Sequence, residues 1–212
     1  GNKLFPVVGV CWFEVEAYCN WLTEQARSGG LGVPLPQGYV ARLPTEEEWY
    51  CLRDQLQLPD QPYWERAPGN INLEYWASSC PVTRFPFGEF YDLIGNVWQW
   101  TETPITGFTG FEVHPWYDDF STPTFDTQHN LIKGGSWIST GNEATRDSRY
   151  AFRRHFFQHA GFRYIESEAP VEVRSEDEIG ELGDSFNRMR EELLSARRRI
   201  DGFTRDLERM VE

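Results

Sequence analysis

Apolar positions along the first fifty residues fall into two periods. Residues 7–12 (VVGVCW) form a short, unbroken apolar run bounded by proline and charge, which predicts a buried strand. Residues 13–27 follow with Val15, Ala17, Tyr18, Trp21, Leu22 and Ala26 spaced for one face of a helix, and Ser28-Gly29-Gly30 predicts its end. Arg42–Trp49 (RLPTEEEW) reads as a strand end and then a second helix running to about Leu56. Thr45 is its N-cap and Glu48, three residues on, completes a capping box. Residues 57–90 are rich in proline, glycine, asparagine and aromatics and show no clear period. Residues 91–164 alternate short strand-like runs with long loops. The pattern is α+β with a large share of loop, and long loops in a compact domain often carry function.

The pattern changes near Glu166. Beyond it, Ile179, Leu182, Phe186, Met189, Leu193, Ala196, Ile200, Phe203, Leu207 and Met210 are separated by alternating steps of three and four. That is a heptad seam, and it predicts a long coiled-coil helix that associates with a partner helix, most simply as a homodimer through residues 175–212. The alternative is one amphipathic helix packed on its own domain. So narrow a stripe favours self-association. The expected division is a loop-rich domain over residues 1–168 and a helical tail over 169–212.

Composition narrows the function. The chain has 212 residues, nine tryptophans, eighteen glycines and a formal net charge of −13. Aromatic packing, rather than long regular elements, is expected to hold the core. A general nucleic-acid binder is disfavoured, because phosphate neutralisation needs clustered positive charge. Anionic membrane surfaces are disfavoured for the same reason. Of the four cysteines, Cys11 and Cys19 sit in an apolar, helix-like context and read as packed free thiols in a reducing, cytoplasmic compartment, two disulfides being the alternative. No apolar run reaches the roughly 18 residues of a membrane span, and no signal peptide is recognisable. The first residue is not methionine, which suits a piece of something longer.

Candidate chemistry concentrates between Gly134 and Tyr164. Arg146, Arg149, Arg153 and Arg154 are interleaved with His155, His159, Tyr150, Phe152, Phe156 and Phe157. Guanidinium forks among aromatic walls suit a small anionic or zwitterionic ligand. Arg153, Arg154 and His155 are the candidate substrate-binding run, with Asp118, Asp119 and Glu143 as the acids available for an ammonium group. The commoner use of such arginines is framework ion pairing. His155 and His159 are four apart, which would bring them together only on a helix. The surrounding sequence reads as strand or loop, and no iron ligand is assigned to them. His114 and His129 are isolated.

Five ordered motifs carry a family resemblance: Pro6–Leu22 (PVVGVCWFEVEAYCNWL), Arg42–Trp49, Gly95–Trp100 (GNVWQW), Gly134–Trp137 (GGSW) and Gly161–Arg163 (GFR). Together they resemble the formylglycine-generating-enzyme family, which implies a C-type-lectin-like α+β fold whose first part precedes this chain. Glu102–Ile105, Phe111–Phe125 (FEVHPWYDDFSTPTF) and Phe152–Phe162 (FRRHFFQHAGF) further resemble the ovothiol-pathway sulfoxide synthases. Those are nonheme iron(II) enzymes that couple cysteine to the histidine imidazole with O2. The ergothioneine-pathway synthases, the nearest relatives, carry a longer insertion where this chain has Arg153-Arg154-His155. The resemblance implies that Tyr117 lies near iron-bound oxygen and handles protons. It implies cysteine, histidine and O2 as small-molecule partners. It also implies that three histidines of a preceding helical domain hold the iron, so that this chain alone is incomplete. Structural calcium is a further implication, at Asn96, Val97 and Gln99, although Gln99 stands where the family has an acid and an amide is a weaker ligand for a hard cation. Formylglycine generation is disfavoured, because it depends on a cysteine pair near the closing GFR and no cysteine follows Cys80. In the tail, Asp177–Met189 (DEIGELGDSFNRM) resembles the second helix of a HAMP signalling domain. The alternative function is therefore a ligand-binding or sensory module with a dimerising HAMP-like output helix.

Overall fold

The computed structural model describes residues 4–30, 35–59, 63, 67–116 and 121–169. The chain divides into two units, residues 1–167 and 168–212. The coiled-coil and HAMP-like expectations for the tail lie outside the described residues.

Helix α1 of the first unit spans Trp12–Arg27. It begins where the Cys11 amide donates to Glu14 Oε2 at 2.9 Å, a carboxylate capping the free N–H groups of the first turn. Its buried face is Trp12, Val15, Cys19, Thr23 and Ala26, at helical spacing. Tyr18 and Trp21, expected on that face, are instead exposed and lie against each other. The Ser28 and Gly30 amides, donating to Glu24 and Gln25 carbonyls, close the helix.

The strand expected over residues 7–12 does not form. Val7 and Val8 are exposed, Gly9 has φ +73°, and Trp12 already belongs to the helix. The Val10 carbonyl accepts from the Trp100 indole at 3.0 Å rather than from a neighbouring strand. A short apolar run does not distinguish a strand from a lead into a helix.

Strand β1 (Tyr39–Arg42) leads into helix α2 (Glu46–Gln55). The expected capping box is present: the Glu48 amide donates to Thr45 Oγ1 at 3.2 Å and the Thr45 amide to Glu48 Oε2 at 2.8 Å. A small hairpin of β2 (Pro86–Phe87) and β3 (Phe90–Tyr91) interrupts the irregular middle. Next come β4 (Trp98–Pro104), the short helix α3 (Ser121–Thr124), β5 (His129–Lys133), a 3-10 turn at Gly141–Ala144, β6 (Tyr150–Arg153), β7 (Ala160–Phe162) and β8 (Ile165–Glu168). The main sheet has the order β6-β5-β4-β7. β4–β5 and β5–β6 are antiparallel and β4–β7 is parallel. β8 pairs with β1.

The sheet register places Trp98, Trp100, Ile132 and Ala160 on one face, where they pack with Trp12, Val15 and Cys19 of α1. The opposite face meets α2 through charge. Lys133, fully buried, reaches Glu46 Oε1 at 2.8 Å, Tyr50 Oη at 3.2 Å and the Ser148 carbonyl at 2.8 Å. Arg149 holds the same carboxylate in a fork of 3.0 and 2.9 Å. A second core gathers Tyr63, Ala67, Ile71, Phe87, Leu93, Ile94 and Ala144 beneath the irregular middle.

Candidate functional site

The arginines of the 146–154 run do different work. Arg146 forks onto Asp54 at 2.8 and 2.9 Å, and Arg149 onto Glu46, so both are framework cations with carboxylate partners. Arg153, at the end of β6, is exposed and has no ion pair among the described residues. Arg154 is half-buried and, among the described residues, meets only neutral acceptors. Its Nε donates to Asn130 Oδ1 at 2.7 Å and its Nη2 to the Thr127 carbonyl at 3.1 Å. Its guanidinium lies over the Trp12 ring at 4.6 Å. Next along the chain is His155, exposed, with its ring edge-on to Phe156 at 4.8 Å.

Glu143 is placed elsewhere. Its carboxylate accepts from the Thr140 amide at 3.3 Å and caps the 3-10 turn. It lies near Tyr150, whose phenol is pushed up by burial and then by Glu143. Tyr117, Asp118 and Asp119 lie outside the described residues.

The calcium candidates sit in a buried hydrogen-bond network. Asn96 Oδ1 accepts from the Cys80 amide at 2.8 Å and Asn70 Nδ2 at 3.4 Å, while its Nδ2 donates to Asp92 Oδ2 at 2.8 Å. Gln99 Oε1 accepts from Arg163 Nε at 2.8 Å, and its Nε2 donates to the Asp92 carbonyl at 2.9 Å. A cation at Gln99 would face a guanidinium. Gln99 thus braces the turn into β4, whereas beside Asn96 the Asn70 Oδ1 is buried without a hydrogen-bond partner among the described residues.

Asp92 in that network is buried, and its Oδ1 has no hydrogen-bond partner among the described residues. Burial pushes its carboxyl up to about 6, against opposing pulls from Asn96 and Arg163. A carboxyl raised on folding contributes stability below its unfolded value of 3.8 and loses it as pH rises through about 6. The difference in unfolding free energy between Asp92→Asn and the unmodified chain is thus expected to shift in the variant's favour from pH 4 to pH 7. Urea titrations at the two pH values measure it, and a pH-independent difference would contradict the assignment.

Comparison with known proteins decides the family. The model of the Sulfatase-modifying factor enzyme 1-like domain matches residues 1–168, and that of the HAMP domain matches residues 165–195. The chain belongs to the Sulfatase-modifying factor enzyme 1-like family. Ergothioneine biosynthesis protein 1 of Schizosaccharomyces pombe is 33% identical over 127 residues, covering 58% of this chain and 15% of that protein. Hercynine oxygenase of Mycobacterium tuberculosis is 28% identical over 172 residues, covering 74% of this chain and 36% of that protein. An inactive C-alpha-formylglycine-generating enzyme 2 of Bos taurus is 28% identical over 156 residues, covering 65% and 40%. The chain thus spans well under half the length of these relatives. Among solved structures, Treponema denticola variable protein 1 superposes with TM-score 0.59 at 17% identity, covering 80% of this chain and 73% of that one. PvdO from Pseudomonas aeruginosa gives 0.53 at 18% identity, covering 78% and 63%. These two likenesses concern the fold.

Within this member of the Sulfatase-modifying factor enzyme 1-like family, the thiols are poorly placed for redox chemistry. Cys11, Cys19 and Cys80 are buried, and Cys51 is half-buried on α2. Burial pushes the Cys19 and Cys80 thiols up to about 11, with Glu16 and Asp92 respectively adding to the rise. Reaction with an aromatic disulfide reagent at pH 8 is expected to label Cys51 first, the others titrating only on unfolding. Prompt labelling of Cys19 or Cys80 in the folded chain would contradict that burial. Among the described residues no three His, Cys, Asp or Glu side chains gather as a metal site. His129 bonds Asp126 at 2.7 Å, and His159 lies edge-on to Trp137 at 5.4 Å.

Two residues at the site escaped sequence reasoning, Asn130 and Trp12. The signal for Asn130 was there: asparagine is depleted in strands, yet it stands just before the apolar pair Leu131-Ile132 of β5 and is fully buried.

Proposed function

We propose that this domain binds the amino-acid substrates of an iron(II)-dependent sulfoxide synthase that joins cysteine to the histidine imidazole. In that reaction a thiol S–H and an imidazole C–H are lost, a C–S bond and an S–O bond form, and O2 supplies the sulfoxide oxygen and leaves its second oxygen as water. One observation carries the reading: relatives named for hercynine oxygenation and ergothioneine biosynthesis match this domain. Hercynine, like histidine, joins an imidazole to a carboxylate. The run Arg153-Arg154-His155 supplies cationic heads for that carboxylate, and the buried, raised Cys19 and Cys80 thiols disfavour formylglycine generation.

The described residues do not fit an iron site, because their histidines are dispersed and no third ligand joins any two. Their contribution is binding and orientation, and Tyr117 is proposed as the proton-handling group. The compact run after β6 favours cysteine with histidine over hercynine with a cysteine donor.

The test is an assay of the full-length polypeptide carrying this domain, given Fe(II), cysteine, O2 and either histidine or hercynine. A product with the combined mass of histidine and cysteine plus one oxygen, less two hydrogens, supports the reading. Faster turnover of hercynine moves the assignment to the ergothioneine type. No product with either acceptor overturns it. The HAMP-domain match over residues 165–195 favours a second reading, a sensory module whose tail dimerises. Sedimentation equilibrium of the chain with and without residues 169–212 tests that association directly.

A further inference from the structure

We infer that Asn130 and Trp12 are positioning residues that present the Arg154 guanidinium to a substrate carboxylate. The inference rests on the amino-acid-binding function proposed for the domain and goes beyond it in naming the receptor and its supports.

The chain carries 33 acidic residues against 20 lysines and arginines, so an arginine in the fold has acids to choose from. Arg146 and Arg149 each close their fork on one, Asp54 and Glu46. Arg154 meets an amide oxygen, a main-chain carbonyl and an indole face. None of these carries a formal charge, so among the described residues no counter-ion offsets the Arg154 guanidinium. Its Nη1 has no protein acceptor among the described residues. A carboxylate approaching that end of the fork finds two N–H groups in bidentate geometry, one on Nη1 and the second on Nη2.

The supports of the guanidinium are themselves fixed. Asn130 is fully buried, and its Nδ2 donates to the Thr101 carbonyl at 3.1 Å and the Glu102 carbonyl at 2.7 Å. With both amide hydrogens engaged, its Oδ1 has one direction left, toward Arg154 Nε. Trp12 is fixed by its indole N–H, which donates to the same Thr101 carbonyl at 3.0 Å. Its amide donates to the Arg154 carbonyl at 2.9 Å, tying the first turn of α1 to the chain just after β6. Strand β4 thus anchors both supports at a single carbonyl. A long side chain otherwise loses rotamer freedom on binding, and fixing it beforehand removes that cost. Arg153, one residue earlier and exposed, has no such supports.

The experiment compares histidine with histamine, which lacks only the carboxylate. Binding to the full chain is measured by calorimetry for the unmodified protein, Arg154→Gln, Arg154→Lys, Trp12→Phe and Asn130→Ala. Arg154→Gln is expected to weaken histidine by about tenfold or more and to leave histamine within about twofold, since a hydrogen bond to a charged group is lost. Trp12→Phe keeps the apolar packing but loses the indole N–H, and is expected to weaken histidine by about threefold with histamine unmoved. Arg154→Lys should recover little, lacking the fork. In parallel, the Arg154 Nε–H signal in 15N NMR is expected to exchange slowly in the unmodified chain and fast in Asn130→Ala. Equal weakening of histidine and histamine would make Arg154 a framework cation and overturn the inference. So would unchanged exchange in Asn130→Ala. If the unmodified chain prefers histidine to histamine and Arg154→Gln keeps that preference, the inference falls and the amino-acid reading stands. If the unmodified chain binds neither, the amino-acid reading falls and takes the inference with it.

Discussion

Replacing Glu46 by glutamine is expected to lower the unfolding free energy by about 3–5 kcal/mol, the usual cost of removing one partner from a buried ion pair. Glu46 is buried between two cations. Its Oε1 is 2.8 Å from Lys133 Nζ, its Oε2 is 2.9 Å from Arg149, and the Tyr50 hydroxyl donates to it at 2.6 Å. Glutamine keeps the shape and removes the charge, leaving the fully buried Lys133 ammonium without compensation. Burial pushes the Glu46 carboxyl up, but Lys133, by charge and hydrogen bond, and then Tyr50 and Arg149 outweigh it and hold it below its ordinary value. A lowered carboxyl contributes stability that is present above its unfolded pKa and is lost as pH falls through the folded one. The gap between unmodified chain and variant should therefore hold at pH 7 and narrow below about pH 4.5, the unperturbed value. Urea unfolding across that range measures both effects. Glu102→Gln is the control: its half-exposed pairing with Arg42 at 3.3 Å predicts a change within about 1 kcal/mol. Equal losses for the two variants would remove the buried cluster from its assigned place in the fold.

Gly95→Ala is expected to cost about 2–5 kcal/mol, combining a left-handed backbone with overpacking. Gly95 has φ +77°, and its amide donates to the Gly134 carbonyl at 2.7 Å. A methyl group there would run into the Asn70 carbonyl and the Ile71 side chain, both in the buried middle of the chain. Neither neighbour can retreat, because the Asn70 carbonyl accepts from the Asn96 amide at 2.8 Å. Gly38→Ala separates the two causes. It has φ +83° with nothing near the added carbon, so it should show the backbone strain alone, about 1–2 kcal/mol. Thermal unfolding of both variants gives the comparison, and equal shifts would rule out the steric part.

Helices α1 and α2 were legible because cap and period mark them: Thr45 with Glu48, and the buried positions of α1 at steps of three and four. Which residues α1 buries was only partly legible. Cys19 and Thr23 lie inward and Tyr18 and Trp21 outward, since tryptophan and tyrosine are amphipathic enough for either side. The sheet was not legible in order, because β4 pairs with β7 across more than fifty residues and no local pattern encodes a partner at that distance. The arginine run was visible as a candidate site. What the sequence concealed was its charge partners: Asp54 and Glu46 silence two of its members from a distant helix and leave Arg154 with a buried asparagine. The family motifs pointed to the fold independently of these patterns, and the domain match over residues 1–168 agrees with them.

The place of β4 in the sheet bears on how the chain is made. Both of its neighbours, β5 and β7, lie later in the sequence. At ordinary synthesis speeds the ribosome needs roughly 3–12 seconds to move from the end of β4 to the end of β7. Until β5 and then β7 have followed, Trp98 and Trp100 sit on a strand with at least one unpaired edge, a template for any other extended chain nearby. Yield of folded protein should therefore depend on chaperone supply and on temperature during expression more than on the stability of the finished domain.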